Sequence, residues 1–427
     1  MKTLKLEEKQ NQSLVKDFFN RKPNFRSRDH LILDHRMAHR WFELLKLGAD
    51  EDIYTFQEVL KGKSGPKVNI RDQPVYMMSS YDYLGLIGHP EIESASIDAI
   101  HEYGTGTGGV RLLTGTNVLH HHLEKSLSRF LGTESSMVLS SGYMANLAVI
   151  AGLFSKNDLV IADERIHRSI VDALKVAGIR QEHFRHNDPL SLKSVLENNE
   201  RVKRKLILVE GVYSMDGDLC PLPEILALKE AYHAFLMIDE AHSLGVLGKT
   251  GRGITEHFGI SPGRVDLFTG SLSKAIPANG GFVSAKEEVI LYLKHGGAPY
   301  MFSAALSPAN SAAALKSLEI IDTEPWRLNK LWQNTNRMMA GLRKGGILTG
   351  STQSPIIPVL CGKNEDAAKL SKGLLDRGFL ATAVIYPAVP LNSAILRLCS
   401  TASQSPDRID QFAEALEELY TTVIRQS

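Results

Sequence analysis

Cysteine is scarce in this chain of 427 residues, with only Cys220, Cys361 and Cys399. They are odd in number, far apart and form no CxxC pair, which excludes a disulfide framework and a cysteine-built zinc site. What is left is three reduced, buried thiols in a cytoplasmic protein. Charge of one sign is lacking too. Lys and Arg total 49 against 48 Asp and Glu, a formal net charge of +1, so the basic stripe that nucleic acid requires is missing. Long apolar runs are also missing, and the stretch near Leu147–Phe154 is far short of a membrane span. The opening MKTLKLEEKQNQ mixes both charge signs and has no apolar region of the signal-peptide kind. A cytoplasmic location is expected, with membrane contact at most peripheral. No internal repeat or low-complexity tract is visible.

What is present fits a globular protein, with 43% hydrophobic and 23% charged residues. The length suggests two packed domains and an N-terminal arm. Residues 1–70 are polar and weakly patterned, apart from an amphipathic helix expected over Met37–Leu47. They are read as the arm. Residues 71–307 alternate short β-rich runs with helical periods. The runs are Ser136–Ser140, Asp158–Ala162, Leu206–Glu210, Phe235–Asp239, Leu267–Gly270 and Gly281–Ser284. That alternation predicts an α/β fold with a mainly parallel sheet covered by helices on both faces. Residues 308–427 are read as a smaller C-terminal α/β domain. Helices are expected over Ala309–Asp322, Leu328–Lys344, Glu365–Arg377 and Pro406–Ile424, and a strand over Ile356–Leu360.

The chemistry-bearing residues lie where those strands end. In Thr269-Gly270-Ser271-Leu272-Ser273-Lys274 a lysine follows a cluster of hydroxyls. A lysine buried in such a loop loses solvation, and its neutral amine can form an imine with an aldehyde cofactor. Ser271 and Ser273 are placed to bond a phosphate. Alone the pattern is weak, because most loop lysines are simply solvated. Asp239, in Asp239-Glu240-Ala241-His242, closes an apolar strand at the end where open α/β sheets bind ligands. A buried carboxylate there needs a cationic partner, and the pyridinium nitrogen of pyridoxal phosphate (PLP) is one. A plain helix or turn cap is the competing reading.

Ser140-Ser141-Gly142-Tyr143-Met144-Ala145-Asn146 reads as strand, glycine turn and helix. Free N–H groups at that helix start attract an anion, and Gly142 lets a phosphate come close. His167, after Asp163-Glu164-Arg165-Ile166, either stacks on a flat ring or is an ordinary helix-start residue. Glu210-Gly211-Val212-Tyr213-Ser214 ends a fourth strand with more polar groups. The run His120-His121-His122 tempts a metal reading. Neighbouring helix residues point in different directions, however, so no metal is expected.

Taken in order, SSGYMAN, IADERIHRSI, EGVYSMDGD, IDEAHSLG and TGSLSK resemble the α-oxoamine synthases, a branch of the fold-type I PLP enzymes. The resemblance runs from about Met77 to Ala402. Within the family the chain looks most similar to the bacterial serine palmitoyltransferases, including Tyr81, which stands where many members have asparagine. The resemblance implies the fold-type I (aspartate-aminotransferase-like) architecture and decarboxylative condensation of an amino acid with an acyl thioester of CoA or acyl carrier protein. It implies that Lys274 carries PLP as a Schiff base and moves the substrate's α-proton. Asp239 would pair with the pyridine nitrogen, His242 with the phenolic oxygen, and His167 would stack on the ring. Ser141, Gly142, Tyr143, Ser271 and Ser273 would hold or flank the phosphate, with Glu210 and Ser214 among the cofactor contacts. Arg397 would grip the amino-acid carboxylate, beside Tyr81. Ser303 would reach the phosphate of a neighbouring subunit, so a homodimer with shared sites is implied.

The chain departs from the bacterial serine palmitoyltransferases at Tyr386-Pro387-Ala388-Val389-Pro390, which lacks their arginine and is closer to aminoketobutyrate ligase, and Gln404 stands near where several members have histidine. Competing classes are an aminotransferase, a retro-aldol lyase, an aminoketobutyrate-ligase-like acetyltransferase, a PLP-fold DNA-binding regulator and an inactive subunit. A regulator carries a helix-turn-helix ahead of the PLP domain, and the first 70 residues show none. An inactive subunit lacks the lysine.

Overall fold

The computed structural model describes residues 14–386 and 388–425. The first thirteen residues of the expected arm, and Pro387, lie outside it. At the centre is a seven-stranded sheet. Its strands, numbered within this sheet, are β1 (Ser135–Leu139), β2 (Leu159–Asp163), β3 (Arg180–Phe184), β4 (Lys205–Glu210), β5 (Phe235–Asp239), β6 (Leu267–Ser273) and β7 (Pro277–Ala285). Their spatial order is β1-β7-β6-β5-β4-β2-β3. All run parallel except β7, which pairs antiparallel with both β1 and β6. The fold is therefore the mainly parallel α/β sheet expected.

Fully apolar strands belong in a sheet covered on both faces. Alternate residues point to opposite sides, and two cores result. Ile161, Ile207, Val209 and Ile238 enter one core. Val160, Leu206, Leu208 and Met237 enter the other. Strand β3 has no such signature. Its Arg180, Gln181 and His183 are exposed because it forms the sheet edge, and the sequence pattern does not reveal it. Strands β6 and β7 form a hairpin closed by the Ser273–Pro277 pair, so Lys274 lies in the turn between two central strands.

The C-terminal sheet is antiparallel, in the order Ile356–Gly362, Ala394–Cys399, Thr382–Val384. The helices Trp326–Lys344, Asn364–Asp376 and Pro406–Tyr420 cover it around Met338, Leu370, Leu396 and Phe412. The helix Pro308–Thr323, read from sequence as part of the small domain, joins the large core instead. Its Ala314, Leu318 and Ile320 pack there, against the helices Pro90–Tyr103 and Val118–Leu131. Its Ser307 N-cap announces a helix start, but a cap carries no information about which core the helix joins. Part of the arm is strand. Leu60–Lys61 and Lys67–Ile70 build a small sheet with Gln73–Met77 and Phe379–Leu380. No helix among the described residues is long and apolar enough to cross a membrane.

Candidate active site

The carboxyl ends of the parallel strands bring Asp163, Glu210, Asp239 and, just beyond β6, Lys274 to one edge of the sheet. Asp239 is buried. Its Oδ1 accepts the Ala241 N–H at 2.9 Å and its Oδ2 accepts Asn146 Nδ2 at 2.8 Å. The Asn146 amide also donates to Ser169 Oγ at 2.9 Å and accepts from Thr269 Oγ1 at 2.7 Å. Ser169 Oγ in turn lies 2.8 Å from His167 Nδ1. One hydrogen-bonded chain thus connects Asp239 to His167. Sequence reasoning passed over Asn146 and Ser169. The available signal was an amide inside the otherwise apolar helix Gly142–Leu153, where a buried polar group needs partners.

His167 caps the helix Arg168–Ala177. Its ring keeps an open edge, yet desolvation by the surrounding protein holds it below the ordinary imidazole value. Asp239 opposes that shift and Lys274 adds to it. His242 is buried, with Nδ1 2.8 Å from the Tyr83 hydroxyl. Burial, then the cations of Lys274 and Arg397, push it well below the usual range, so it is neutral. Tyr83 was not singled out from the sequence. Tyr81 was, and its ring meets His242 edge-on at 5.8 Å. Lys274 Nζ lies 5.2 Å and Arg397 Cζ 4.8 Å from the centre of the same ring. Burial lowers the Lys274 pKa, with Asp239 opposing, and this raises the share of neutral amine.

Arg397 enters from the strand Ala394–Cys399 of the C-terminal sheet and is buried. Its Nε donates to the Ser214 carbonyl at 2.7 Å and its Nη1 to Cys399 Sγ at 3.1 Å. Its Nη2 has no hydrogen-bond partner among the described residues. A buried guanidinium with an idle N–H is a carboxylate receptor. Ser214 therefore contributes its main-chain carbonyl at this point. Glu210 is fully buried and leaves Oε1 unpaired. Burial and then Asp239 raise its pKa well above the usual range against hydrogen bonds from the His167 and Ser214 main chain. It is a neutral acid that braces those two residues.

The other end of the cleft is a cradle for an anion. Ser141 Oγ accepts the Met144 N–H at 3.2 Å as N-cap, which leaves the first N–H groups of the helix directed at solvent or ligand. A Cβ on Gly142 would lie 3.1 Å from the Ser271 Cβ and 3.2 Å from the Gly270 carbonyl, so only glycine keeps the turn this open. Ser271 Oγ and Ser273 Oγ lie 2.7 Å apart. The Tyr143 hydroxyl donates to Asp172 at 2.9 Å. Ser303 Oγ lies 3.4 Å from Ser140 Oγ of its own chain, and the adjoining Ala304 bridges to Val110. His120 uses both ring nitrogens elsewhere, at the Asn117 N–H (3.1 Å) and the Leu306 carbonyl (2.7 Å).

Behind the site, His186 ties two strand ends together. Its Nδ1 lies 2.9 Å from Asp163 and its Nε2 2.9 Å from Asp218, on the loop that carries Ser214. Burial alone would lower its pKa. The hydrogen bonds to Asp163 and Asp218 overcome this and push it up to about 9.

The aminotransferase class I and II family matches residues 73–416. The chain is 39% identical over 379 residues to 8-amino-7-oxononanoate synthase 1 of Bacillus velezensis, covering 88% of this chain and 97% of that one. It is 40% identical over 370 residues to the serine palmitoyltransferase of Bacteroides ovatus, covering 87% and 94%. Among solved structures, a serine palmitoyltransferase from S. paucimobilis with bound PLP–myriocin aldimine is similar at a TM-score of 0.87. Its identity is 31%, over 91% of this chain and 99% of that chain.

Since His186 has a folded pKa above its ordinary 6.5, the stabilisation from its two ion pairs is complete below that value. It is lost as pH rises through about 9. The urea midpoint of the wild type should exceed that of His186→Gln at about pH 6, and the gap should close by about pH 10. A gap equally wide at both would contradict the assignment.

Proposed function

Because the chain belongs to the aminotransferase class I and II family, and within it to the α-oxoamine synthases, we propose that it joins an amino acid to an acyl thioester. The products are an α-aminoketone, carbon dioxide and the free thiol. The observation that carries this reading is the buried Arg397, with an idle N–H, sharing the Tyr81 ring with a half-buried Lys274.

The cofactor is pyridoxal 5'-phosphate, and the residues fit it. The Gly142–Ser271 cradle suits its phosphate, with Ser141, Tyr143 and Ser273 around it. Asp239, held rigidly by Asn146 and Ala241, suits a pyridinium N–H. His167 suits the ring face, and neutral His242 the phenolic oxygen. When bound, PLP supplies an aldehyde for the amines and a ring that accepts the electron pair left on the amino acid's α-carbon.

The protein's own groups do the rest. Lys274 is the residue that would hold the cofactor's aldehyde, and its Nζ would take the substrate's α-proton. Burial helps by lowering the pKa of that amine, which raises its neutral share. Arg397 fixes the substrate carboxylate by charge-assisted hydrogen bonds, and this orients the bonds at the α-carbon. Tyr81 offers its ring to both Lys274 and Arg397 and would line the substrate side. Glu210 and Ser214 hold the main chain beneath His167 and Arg397.

A homodimer is part of this reading. Leu113 and Phe302 are 78% and 80% exposed, on two loops joined by the Val110–Ala304 bridge beside the phosphate turn. An apolar patch so placed suits a second copy, with Ser303 directed at the partner's phosphate. All three cysteines are free and buried, which supports a cytoplasmic setting.

Lys274→Ala should retain bound PLP yet release thiol about 10³-fold more slowly or not at all, and normal turnover would end the assignment. Arg397→Ala should raise the amino-acid KM about 10- to 100-fold, the size of a lost charged hydrogen bond. An unchanged KM would place the carboxylate elsewhere. In sedimentation the wild type should run as a dimer and Phe302→Asp as an inactive monomer, whereas an active wild-type monomer would refute the shared site.

A further inference from the structure

A cavity of about 1150 Å³ lies outside the cradle and the Arg397 pocket. Its walls come from three places. The arm helix Arg36–Asp50 gives Trp41, Leu44 and Leu45. The helix after His167 gives Val171. The small domain gives Val384 and Leu391. Its inner end abuts the site, because Ile166 and Arg168, the neighbours of His167, line it. So does Val384, two residues along the strand from Thr382, which pairs with Arg397. The outer wall is fastened where Arg40 of the arm stacks on Tyr386, 4.2 Å from the ring centre. The charged residues in the lining, Arg168, Lys363 and Glu365, are exposed or solvent-paired, and Arg168 is engaged with Asp172. Apolar groups therefore face the space between them.

We infer that this cavity takes the hydrocarbon tail of the acyl donor, making the chain selective for a long, uncharged acyl group. The inference rests on the condensation reading and sharpens it. The relatives do not decide the matter, since their names point to two different acyl groups. Three features favour a tail. The volume exceeds what a small acyl group fills. The walls are mostly aliphatic and aromatic, with Gln57, Asn364 and Asn392 the amides among them. The cavity also begins next to the ring-facing histidine, where the acyl carbon must arrive. A terminal carboxylate would be stripped of water there without a buried cation to meet it. Each methylene that enters should improve kcat/KM by about fourfold until the cavity is full.

The test uses the PLP-loaded enzyme with acetyl, octanoyl, octanedioyl, dodecanoyl and hexadecanoyl CoA, scoring thiol release with an amino acid it accepts. The hexadecanoyl and dodecanoyl thioesters should be preferred. Leu44→Trp and Val384→Trp, which fill the cavity from opposite walls, should each lower the hexadecanoyl-to-octanoyl ratio about tenfold or more. Trp41 emission should change on adding hexadecanoyl-CoA to the wild type and not to Trp41→Phe. This reading stands even if the filled variants do not fold. Preference for acetyl or octanedioyl, an unmoved ratio in folded variants, or a silent Trp41 overturns the tail site while leaving the condensation intact. Absence of thiol release with every pair overturns both.

Discussion

The Asp239 carboxylate, held by Asn146 on one oxygen and the Ala241 N–H on the other, is the fixed point of the site. A buried anion is tolerated only when it is hydrogen-bonded and faces positive charge. Asp239 meets the first condition within the protein and presents the second as a demand on a ligand. Its field also reaches the surroundings. It opposes the desolvation of Lys274 and His167 and helps to keep Glu210 protonated. The result is a site where one carboxylate, the Lys274 and Arg397 side chains, a protonated Glu210 and two imidazoles lowered by burial meet at one edge of the sheet. Acid and base roles are separated by environment rather than by residue type.

The two sheets meet in this arrangement. Arg397 belongs to the C-terminal antiparallel sheet, yet its guanidinium is anchored on the Ser214 carbonyl, just beyond a strand of the seven-stranded sheet. Gly217, on the same loop, sits so close to the Ile356 carbonyl that a side chain there would collide. The carboxylate receptor is thus positioned by contacts between the C-terminal sheet and the loop that carries Ser214. The ion pairs of His186 steady the same loop from behind.

Much of this was legible in the sequence, for identifiable reasons. Asp239 could be located because it closes an apolar run that forms a buried strand, and Lys274 because it follows a cluster of hydroxyls at the end of another. The motif order then pointed to the roles of His242 and Arg397, which no local pattern suggests. Asn146, Ser169 and Tyr83 were missed because their importance lies in partners distant along the chain. Asn146 reaches Asp239 across 93 positions and Tyr83 reaches His242 across 159. Strand β3 was missed because an edge strand need not be apolar. The packing partners of the Pro308–Thr323 helix were not legible, because it is capped like any other and declares its allegiance only through packing.

The hairpin between β6 and β7 has a consequence for timing. Ser273 and Pro277 are paired, and Leu272, Ala275 and Ile276 are sunk in the core, so the backbone at Lys274 is clamped on both sides. Its ammonium can change partners only by turning about the four bonds of its own stem. Such rotations belong to picoseconds and nanoseconds, whereas loop rearrangements take far longer. Handing the amine from one bond to the next is thereby uncoupled from any slow movement of the main chain.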